Sequence, residues 1–559
     1  MNRFHRIPLV CLGLALLGSA FALGAARKSH DAAVARNLNV FNALVKELEL
    51  NYVDSIRTDD TFKTAIRALL STVDPYTEYY SSDDAEDLAK LTTGEYGGIG
   101  SYILERDSFT YISGPFEGSP AAKAGLKAGD KILYVDSVSA KGLPSGGVSK
   151  LLRGQPGTKV KVKVWRPYAG ADSIREAVIE RRKVVTPSVP YWRLDTVSGL
   201  GYIRLTSFID KSPEEVQTAL ESFAADPRLK GVVLDLRGNG GGLVESAVDI
   251  VGFFVPKGTE VLRTRGKGKN AEKIYKTSRK PLMPTIPLAV LIDGGSASAS
   301  EITAGSLQDL DRAVLIGSRS FGKGLVQGTR PLPYDGFLKV TTAKYYIPSG
   351  RLIQALDYSH RNRDGSVARV PDSLTNVYHT AAGREVRDGG GLKPDVEVEW
   401  DKVSRLLYNI ARDNWAFDFA TKYAATHPSI PAPEDFEITD EVYADFKAGI
   451  DPARFKYDKV GEDLIKELNT VLSDEGYMND SVKSQLDGLS RLLNRDLQTD
   501  LDSKRKEIAA YLGEEIASRY YYERGRTAQQ LRDDKAMAAA RKYLLDPALL
   551  KRTLSASKK

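Results

Sequence analysis

Residues 288–301, LAVLIDGGSASASE, join a buried apolar run to a turn that is rich in serine. The first five residues are typical of a strand that is buried on both faces, and the glycines that follow predict a tight turn into a helix. Ser296, Ser298 and Ser300 all lie where this turn becomes the helix. A hydroxyl at a helix start can cap the helix or, beside its partial positive charge, act as a nucleophile. The pattern alone leaves both roles open.

A lysine in a glycine-framed loop follows in FGKG, residues 321–324. The histidines of the chain are His5, His30, His360, His379 and His427. Residues 31–359 therefore contain no imidazole for a Ser-His-Asp triad. A lysine can replace histidine as the base when burial favours its uncharged amine, and the glycines allow the close packing that burial needs. This pairing predicts a Ser/Lys hydrolase, with an ordinary exposed loop lysine as the alternative.

Gln327 lies four residues after Lys323, in a segment whose pattern predicts a strand. In extended backbone both side chains point to the same face, so the amide can orient the amine without adding charge. The predicted strand also argues against a phosphate-binding P-loop. Such a loop needs a Ser or Thr after the lysine and a helix behind it, and Gly324 takes the place of that hydroxyl.

A glycine loop, RGNGGGL at residues 237–243, follows the apolar run at residues 231–236. A dinucleotide fingerprint fails here because its third glycine would fall on Leu243. Closely spaced backbone N–H groups in such a loop suit an oxyanion hole, with Gly241 or its neighbours as donors. A plain tight turn between strand and helix is the alternative.

Residues 96–185 change to short β-branched runs punctuated by glycine and resemble a PDZ domain. The resemblance gives Gly97, Gly98, Ile99 and Gly100 the role of a loop that binds a peptide's terminal carboxylate. Residues 149–153 would form the helix beside the groove, where Arg153 could sense the bound peptide. A β-hairpin scaffold with glycine turns, and a solvated helix-end arginine, are the alternatives.

The first residues predict export. Arg3 and Arg6 precede an apolar run at residues 7–23, and AFA at residues 20–22 offers a cleavage site, so residues 1–26 are interpreted as a signal peptide, with an uncleaved membrane anchor as the alternative. Cys11, the only cysteine, lies in this run, and Val10 before it fits a lipoprotein site poorly. The mature chain would then contain no thiol.

The remaining composition is that of a globular protein. The 559 residues predict about three or four domains, and a charge of +6 without a long basic tract gives no reason to expect nucleic acid. The amphipathic pattern near residues 34–48 predicts a helix that packs on the body or on a second copy. Beyond residue 401 the chain is charged and helical, with a plain helical core favoured over roles in rigidity, dimerisation or adaptor binding.

Taken together, these motifs resemble the carboxy-terminal processing peptidases, the tail-specific proteases of serine peptidase family S41. The resemblance covers residues 34–400, and its motifs are DPY at 74–76, the PDZ segment, LDLR at 234–237, GSASASE at 295–301, AGSLQD at 304–309, FGKG at 321–324, TAKYY at 342–346, PSGR at 348–351 and PDV at 394–396. It implies Ser298 as nucleophile, Lys323 as general base and Gln327 as the base-orienting amide. Ala299 and Gly241 would supply the oxyanion donors, although the family's loop usually has a proline near Gly240.

The same resemblance implies the fold class: an α/β multidomain protein whose crotonase/ClpP-like ββα catalytic core carries an inserted PDZ domain. We expect a signal peptide or anchor at 1–26, N-terminal helices at 31–95, the PDZ domain at 96–185, the peptidase core at 186–400 and a helical C-terminal domain at 401–559. Asp309 also falls in a family motif, but it lies ~16 Å along the helix from Ser298, so we expect a structural pairing role.

The predicted function is an endopeptidase that binds exposed C-termini of proteins and cuts the chain with the Ser/Lys dyad, without metal or cofactor. We expect it to be exported to the periplasm, with attachment to the inner membrane, an adaptor and a homodimer as further predictions. An inactive PDZ scaffold and a crotonase-like acyl-thioester enzyme are the alternative functions. The first would not need the dyad, and the second would not need a PDZ groove.

Overall fold

The computed structural model of the chain describes residues 30–170, 173–268, 271–362, 364–457, 460–493 and 496–556. The predicted export segment and Cys11 lie outside these residues. None of the helices in these ranges combines the length and apolar character that crossing a bilayer requires. The chain divides into two compact units, Met1–Tyr79 and Tyr80–Lys559.

Within residues 30–79, the described part of the first unit, the chain forms two helices, in agreement with the predicted helical pattern. They are α1 (30–51) and α2 (Thr58–Ser71), and the short strand β1 (Glu78–Tyr80) spans the boundary between the units. Asp74 ends the helical pattern because its carboxylate accepts hydrogen bonds from the Tyr76 and Thr77 amides, both at 2.8 Å. The helix that follows residue 80 belongs to the second unit, so the predicted helical region at 31–95 is shared between the two.

The second unit begins with a β-rich module whose interior is aliphatic. Its elements are α3 (Ala85–Thr93), β2 (Glu95–Gly98), β3 (Ser101–Arg106), β4 (Phe109–Pro115), α4 (Pro120–Lys123), β5 (Lys131–Val135), β6 (Val138–Ser139), α5 (Ser145–Leu152), β7 (Lys159–Trp165), β8 (Ile174–Glu180) and β9 (Arg182–Val185). The sheet order is β3-β4-β5-β7-β8, β6 pairs with β5, and β2 pairs with β9. In β7, Val160, Val162 and Val164 are fully buried and alternate with exposed or half-buried lysines, which confirms the predicted period-two strand.

A six-stranded sheet forms the centre of residues 186–400, the predicted catalytic region. The elements of this region are β10 (Tyr191–Asp195), β11 (Leu200–Arg204), α6 (Ser212–Ala224), β12 (Gly231–Asp235), α7 (Val244–Val251), β13 (Glu260–Gly266), β14 (Glu272–Lys276), β15 (Leu288–Ile292), α8 (Ala299–Asp309), β16 (Val314–Gly317), β17 (Leu325–Leu332), β18 (Gly336–Tyr346), β19 (Leu356–Arg361), β20 (Val367–Arg369), β21 (Val377–His379), β22 (Glu385–Arg387) and β23 (Val396–Glu397). The order is β10-β11-β12-β15-β16-β23, with β10 antiparallel and the other pairs parallel.

Adjacent parallel strands place two predicted site loops side by side. β12 pairs with β15, so Leu234 lies opposite Val290. The carboxyl ends of parallel strands meet at one edge of the sheet, which is where ligands bind in open α/β sheets. The glycine loop leaves β12 at this edge, and the serine-rich turn leaves β15 beside it.

A second, antiparallel sheet in the order β17-β18-β13-β14 carries the segment after Lys323. β17 begins at Leu325, two residues after the lysine. The strand predicted for this segment is therefore confirmed, and the helix that a P-loop requires is not formed there. Two hairpins, β19-β20 and β21-β22, follow.

The C-terminal region is helical as predicted, and its first helices form their own core. The helices are α9 (Arg405–Arg412), α10 (Trp415–Thr426), α11 (Asp440–Gly449), α12 (Val460–Asp474), α13 (Asp480–Leu493), α14 (Leu497–Ser503), α15 (Arg505–Gln530), α16 (Lys535–Leu544) and α17 (Pro547–Thr553). Residues from α9, α10, α11, α14 and α15 pack together in one cluster.

The last two helices pack on the central sheet and not in that cluster. Val232 and Leu234 of β12 face the core that α6, α7 and α8 cover, whereas Val233 faces a second cluster with Ala536 and Leu544 of α16. A parallel sheet needs cover on both faces, so α16 completes the catalytic region. The helical region predicted at 401–559 therefore both forms its own core and supplies α16 to the central sheet.

Asp309 has the pairing role that we predicted. Its carboxylate accepts from Arg351 Nη2 at 2.8 Å and from the Ser349 amide at 3.0 Å, at the end of α8. The Asp309 and Arg351 side chains are 0% and 2% exposed. The pair therefore ties the end of α8 to the loop after β18.

We predict that Asp309→Ala destabilises the catalytic region strongly, because it removes the direct ion-pair partner of the buried Arg351 guanidinium. Losing one partner of a buried ion pair costs about 3–5 kcal/mol. Urea unfolding, followed by tryptophan fluorescence, measures the change. Asp226→Ala, which removes a surface pair with Arg228, is the control and should change little. Equal midpoints for both variants would contradict the role given to Asp309.

Candidate active site

One cavity of about 1050 Å³ collects the three residues of the predicted dyad and its partner. Its lining includes Ser298 at the start of α8, Lys323 in the loop before β17, and Gln327 on β17. Residues 240–242 of the glycine loop line the same cavity. Segments that are distant in the sequence therefore meet at the carboxyl edge of the central sheet.

The structure distinguishes among the three serines of the turn. The Ser296 hydroxyl donates to the Leu236 carbonyl and the Ser300 hydroxyl to the Asn239 carbonyl, both at 2.8 Å, and both side chains are fully buried. Ser298 is half-buried and lines the cavity. Ser296 and Ser300 thus fasten the turn to the glycine loop, and Ser298 is the serine that a substrate in the cavity can reach.

The backbone at Ser298 is strained, with φ of 56° and ψ of −115°. A non-glycine residue in such a region costs about 1–3 kcal/mol and persists only where its surroundings hold it. Here the Ser298 amide donates to Glu301 Oε2 at 3.0 Å, and the Tyr345 hydroxyl donates to the Ser298 carbonyl at 3.2 Å. Burial, with the nearby Glu301 carboxyl, raises the pKa of Tyr345 well above its ordinary value. The tyrosine therefore keeps the proton that it donates.

Glu301 joins the serine turn to the lysine loop, a role that was not predicted from the sequence. Its Oε1 accepts from the Ser320 hydroxyl at 2.5 Å and the Gly322 amide at 2.7 Å, and its Oε2 accepts from the Lys323 amide at 2.9 Å as well as from Ser298. Burial raises the pKa of Glu301, against the opposing effect of these hydrogen bonds. The spacing Ser298-x-x-Glu301 is that of a capping box, which is the sequence signal that could have revealed it.

The glycines around Lys323 are required by close packing, as predicted. A Cβ at Gly322 would lie 2.4 Å from Ala355 Cβ, and one at Gly324 would lie 2.9 Å from the Gln354 amide nitrogen. Lys323 itself is half-buried. The Gln327 amide Nε2 donates to Thr341 Oγ1 at 3.1 Å, which fixes the side chain on β17.

Both predicted oxyanion donors lie beside Ser298. A Cβ at Gly241 would be 2.8 Å from Ser298 Cβ and 2.9 Å from the Ala299 amide nitrogen, and Gly241 has φ of 101°. Ala299 is the first residue of α8, so its N–H has no acceptor within the helix. The Gly241 N–H, however, donates to Asn239 Oδ1 at 2.9 Å. Of the two, Ala299 is the better prepared donor in this structure.

The predicted carboxylate loop reaches the same cavity with only part of its length. Ile99, Gly100 and Arg153 are among the lining residues, and Ser149 and Leu152 of α5 line it as well. Gly97 and Gly98 lie in β2, and the Gly97 amide donates to Glu86 Oε1 at 3.3 Å. The groove between β3 and α5 is therefore continuous with the cavity at Ser298.

Arg153, predicted as a peptide sensor, has partners within the second unit. Its Nη1 lies 2.6 Å from Asp87 Oδ1, and its guanidinium lies 5.3 Å from the centre of the Tyr96 ring. It stands at the cavity wall, and its charge is already compensated by the aspartate. In the part of the chain that the structure describes, no group of three or more His, Cys, Asp or Glu side chains is arranged to hold a metal ion.

Comparison with known proteins agrees with this architecture. Three family models match the chain: peptidase family S41 at residues 199–361, a PDZ domain at residues 111–166, and the C-terminal helical domain of a probable PDZ-protease at residues 406–544.

Relatives match at greater length than these models. The carboxy-terminal-processing protease of Bartonella bacilliformis is 36% identical over 325 residues, which are 57% of this chain and 73% of the relative. The carboxy-terminal processing protease CtpA of Bacillus subtilis is 31% identical over 370 residues, 66% of this chain and 76% of the relative. The solved photosystem II D1 C-terminal processing protease is 27% identical, covers 64% of this chain and 86% of its own, and has a TM-score of 0.35. On the sequence matches, the chain belongs to the carboxy-terminal-processing proteases, serine-type peptidases of family S41 that carry a PDZ domain.

Proposed function

We propose that this protease cuts its substrates with Ser298 as the nucleophile and Lys323 as the general base. The observation that carries the proposal is the shared cavity, because Ser298, Lys323 and Gln327 come from three separate segments and line the same space. Gln327 orients the lysine amine through its side-chain carbonyl, while its Nε2 is held by Thr341.

The reaction follows the logic of a serine nucleophile with a neutral base. Ser298 Oγ attacks the scissile carbonyl carbon while the uncharged Lys323 amine takes the hydroxyl proton. The protonated lysine then gives that proton to the nitrogen of the leaving amine as the peptide bond breaks. Water attacks the acyl-enzyme with Lys323 again as base, and Ser298 recovers its proton.

The tetrahedral intermediate places negative charge on the former carbonyl oxygen, which needs fixed donors ~3 Å away. We assign the Ala299 N–H as the first donor. The Gly241 N–H is the second, and it serves once it shares or exchanges its Asn239 acceptor for the oxyanion. Donors at a helix start are already oriented before the charge develops, so little rearrangement is needed during the reaction.

Glu301 supports this chemistry as a positioning residue. One carboxyl group accepts from the backbone of the nucleophile at Ser298 and from the backbone of the base at Lys323. Because both loops share this acceptor, neither can move without breaking a buried hydrogen bond. Glu301 thereby restrains the distance between Ser298 and Lys323.

The substrate enters as a chain with an exposed C-terminus. We propose that the terminal carboxylate binds near Ile99 and Gly100 while the peptide adds along β3 beside α5. The continuity of this groove with the cavity at Ser298 supports binding and cleavage of the same chain. An acyl-thioester substrate has no use for such a groove, so this alternative loses its support.

Location and assembly remain predictions from the sequence. The signal-like segment favours export to the periplasm, with attachment to the inner membrane as the alternative to cleavage. A homodimer is supported by exposed apolar side chains on α1, among them Leu38 and Leu44. An adaptor is a further prediction, for which the helical C-terminal region offers surface.

We predict that Ser298→Ala and Lys323→Ala each lower kcat at least about 1000-fold on a peptide with an apolar free C-terminus, because each removes one half of the dyad. Initial rates on this peptide and on casein measure the effect. Lys344→Ala, an exposed lysine opposite Leu325 on the neighbouring strand, is the control and should keep its activity. Cleavage by Ser298→Ala at the wild-type rate would reject the site.

We predict that Glu301→Gln lowers kcat at least about tenfold with little change in KM. The amide can accept through only one of its two ends, so either the Lys323 and Ser298 amides or the Ser320 and Gly322 donors lose their acceptor. Glu215→Gln is the matched control, since Glu215 also accepts from a serine hydroxyl and a backbone amide, those of Ser188 and Val189. An unchanged kcat in Glu301→Gln would show that the carboxylate does not position the dyad.

We predict that amidation of the substrate's C-terminus raises KM about 10- to 100-fold. A hydrogen bond to a charged group contributes about 1.5–3 kcal/mol, and amidation removes that charge. Steady-state kinetics on matched free-acid and amidated peptides give the comparison, and binding to the Ser298→Ala protein separates affinity from turnover. Equal KM and equal affinity for the two peptides would exclude recognition of the terminal carboxylate.

A further inference from the structure

Arg237 connects the glycine loop to the C-terminal helices. Arg237 is the first residue of the glycine loop, and its Nη2 lies 2.5 Å from Asp235 Oδ2 and 2.7 Å from Asp534 Oδ2. Asp534 immediately precedes α16. The three side chains are nearly buried, with exposed fractions of 1% for Asp235, 13% for Arg237 and 6% for Asp534. One guanidinium thus joins the end of β12 to a helix from the far end of the chain.

The pKa shifts of Arg237 and Asp235 both favour the charged forms of these side chains. Burial lowers the pKa of Arg237, but the charges and hydrogen bonds of Asp235 and Asp534 outweigh it and raise the pKa above its ordinary value. Burial raises the pKa of Asp235, but Arg237 outweighs it and the pKa lies below its ordinary value. The Tyr202 hydroxyl donates to Asp235 at 2.6 Å, and the Trp400 ring centre lies 5.4 Å from the guanidinium. Arg237 is therefore fixed as a charged group.

Asp534 is itself fixed by two further contacts. Its Oδ1 accepts from the Ala536 and Met537 amides at 2.8 and 3.0 Å, so it is the N-cap of α16. α16 packs on the central sheet. Its residues Ala536, Ala540 and Leu544 are buried against the second face of that sheet. A Cβ at Gly231 of β12 would lie 3.3 Å from Leu544 Cβ. The carboxylate that meets Arg237 is consequently held by a packed helix.

The loop that starts at Arg237 leads directly to the site. The Gly238 amide donates to Asp293 Oδ1 at 2.9 Å, the Asn239 carbonyl accepts from the Ala297 amide at 3.0 Å, and Gly241 then lies against Ser298. The ion pairs of Arg237 hold the first residue of this loop in place. A displacement of about 1 Å near reacting groups can lower a rate by about 100-fold.

We propose that Asp534 is a positioning residue for proteolysis, supplied by the C-terminal helical region. It acts through Arg237 on residues 238–242 and so sets the position of Gly241 relative to Ser298. The inference rests on the proposed function only for the assignment of this loop to the oxyanion side of Ser298. It gives the C-terminal region a positioning role in catalysis, beyond covering the sheet.

The test is Asp534→Asn in the full chain, with kcat and KM measured on a peptide with an apolar free C-terminus. Asparagine caps helices as well as aspartate does, so α16 keeps its start while the negative charge that faces Arg237 is lost. Asp546→Asn is the matched control, because Asp546 caps α17 through the Ala548 and Leu549 amides, both at 3.0 Å. Asp534→Glu restores the charge, and the double variant with Arg237→Gln tests whether Asp534 acts through the arginine.

We expect Asp534→Asn to lower kcat about tenfold or more, with KM within about threefold and a thermal midpoint well above the assay temperature. Asp546→Asn should retain the wild-type kcat, and Asp534→Glu should recover part of the loss. The double variant should lose no more than Arg237→Gln alone, since the two residues act as one unit. Hydrogen exchange of residues 238–243 should accelerate in Asp534→Asn while α16 keeps its protection. If Asp534 only stabilised α16, exchange would accelerate in α16 and not in residues 238–243.

A kcat in Asp534→Asn within about twofold of wild type overturns the inference. An equal loss in Asp546→Asn, or independent losses in the double variant, does so as well. If Asp534→Asn unfolds at the assay temperature, an Asp534→Glu protein that folds and has the wild-type kcat supports the role of the charge, and one that folds without activity rejects it. Ser298→Ala is assayed in parallel. If Ser298→Ala is inactive and Asp534→Asn fully active, only this inference fails, whereas cleavage by Ser298→Ala defeats the proposed function.

Discussion

The proposed arrangement of Ser298 and Lys323 depends on the hydrogen bonds that the buried Glu301 carboxyl group accepts. It receives four donors, one from the backbone of Ser298, the proposed nucleophile, and three from the lysine loop, at Ser320, Gly322 and Lys323. The strained backbone at Ser298 would relax if hydrogen bonds did not hold the serine turn in place. Because Glu301 lies on the first turn of α8 and is fully buried, the rigid helix carries this constraint into both loops.

The central sheet supplies the frame in which this constraint operates. Parallel strands β12 and β15 bring the glycine loop and the serine turn to one edge, and successive residues of each strand face opposite helical layers. One layer consists of α6, α7 and α8, which follow the strands in sequence. The other layer includes α16, which follows the helices of the separate C-terminal cluster along the chain. Catalytic and C-terminal regions are therefore parts of one packed body within the second unit.

The sequence predicts much of this because local patterns carry it. The apolar run at 288–292, the glycines around Lys323 and the strand after it are each recognisable from neighbouring residues, and the family motifs select Ser298 among three similar serines. Arg237 and Asp534 show the limit. Arg237 belongs to a family motif and Asp534 to none, and no local pattern pairs the two. Only the docking of α16 on the sheet brings them together. The Ala536, Ala540 and Leu544 spacing predicts an amphipathic helix, but it does not reveal which surface the helix covers.

Two further features escaped prediction for physical reasons. The Gly241 amide is engaged by Asn239, a contact that depends on how the loop folds back on itself. The Arg153 charge is paired with Asp87 of α3, a helix that precedes the PDZ segment. In both places a group with a predicted ligand role has an internal partner, so ligand binding at these points is an exchange of hydrogen bonds.

Trapping the covalent intermediate tests the central claim most directly. A rapidly acylating peptide ester is mixed with the enzyme, the reaction is quenched in acid, and the labelled residue is located by peptide mapping with mass spectrometry. The account predicts an acyl group on Ser298 in the wild-type protein and a far slower appearance of that label in Lys323→Ala. Turnover of the ester with the acyl group on another residue, or equal labelling rates in the two proteins, would contradict it.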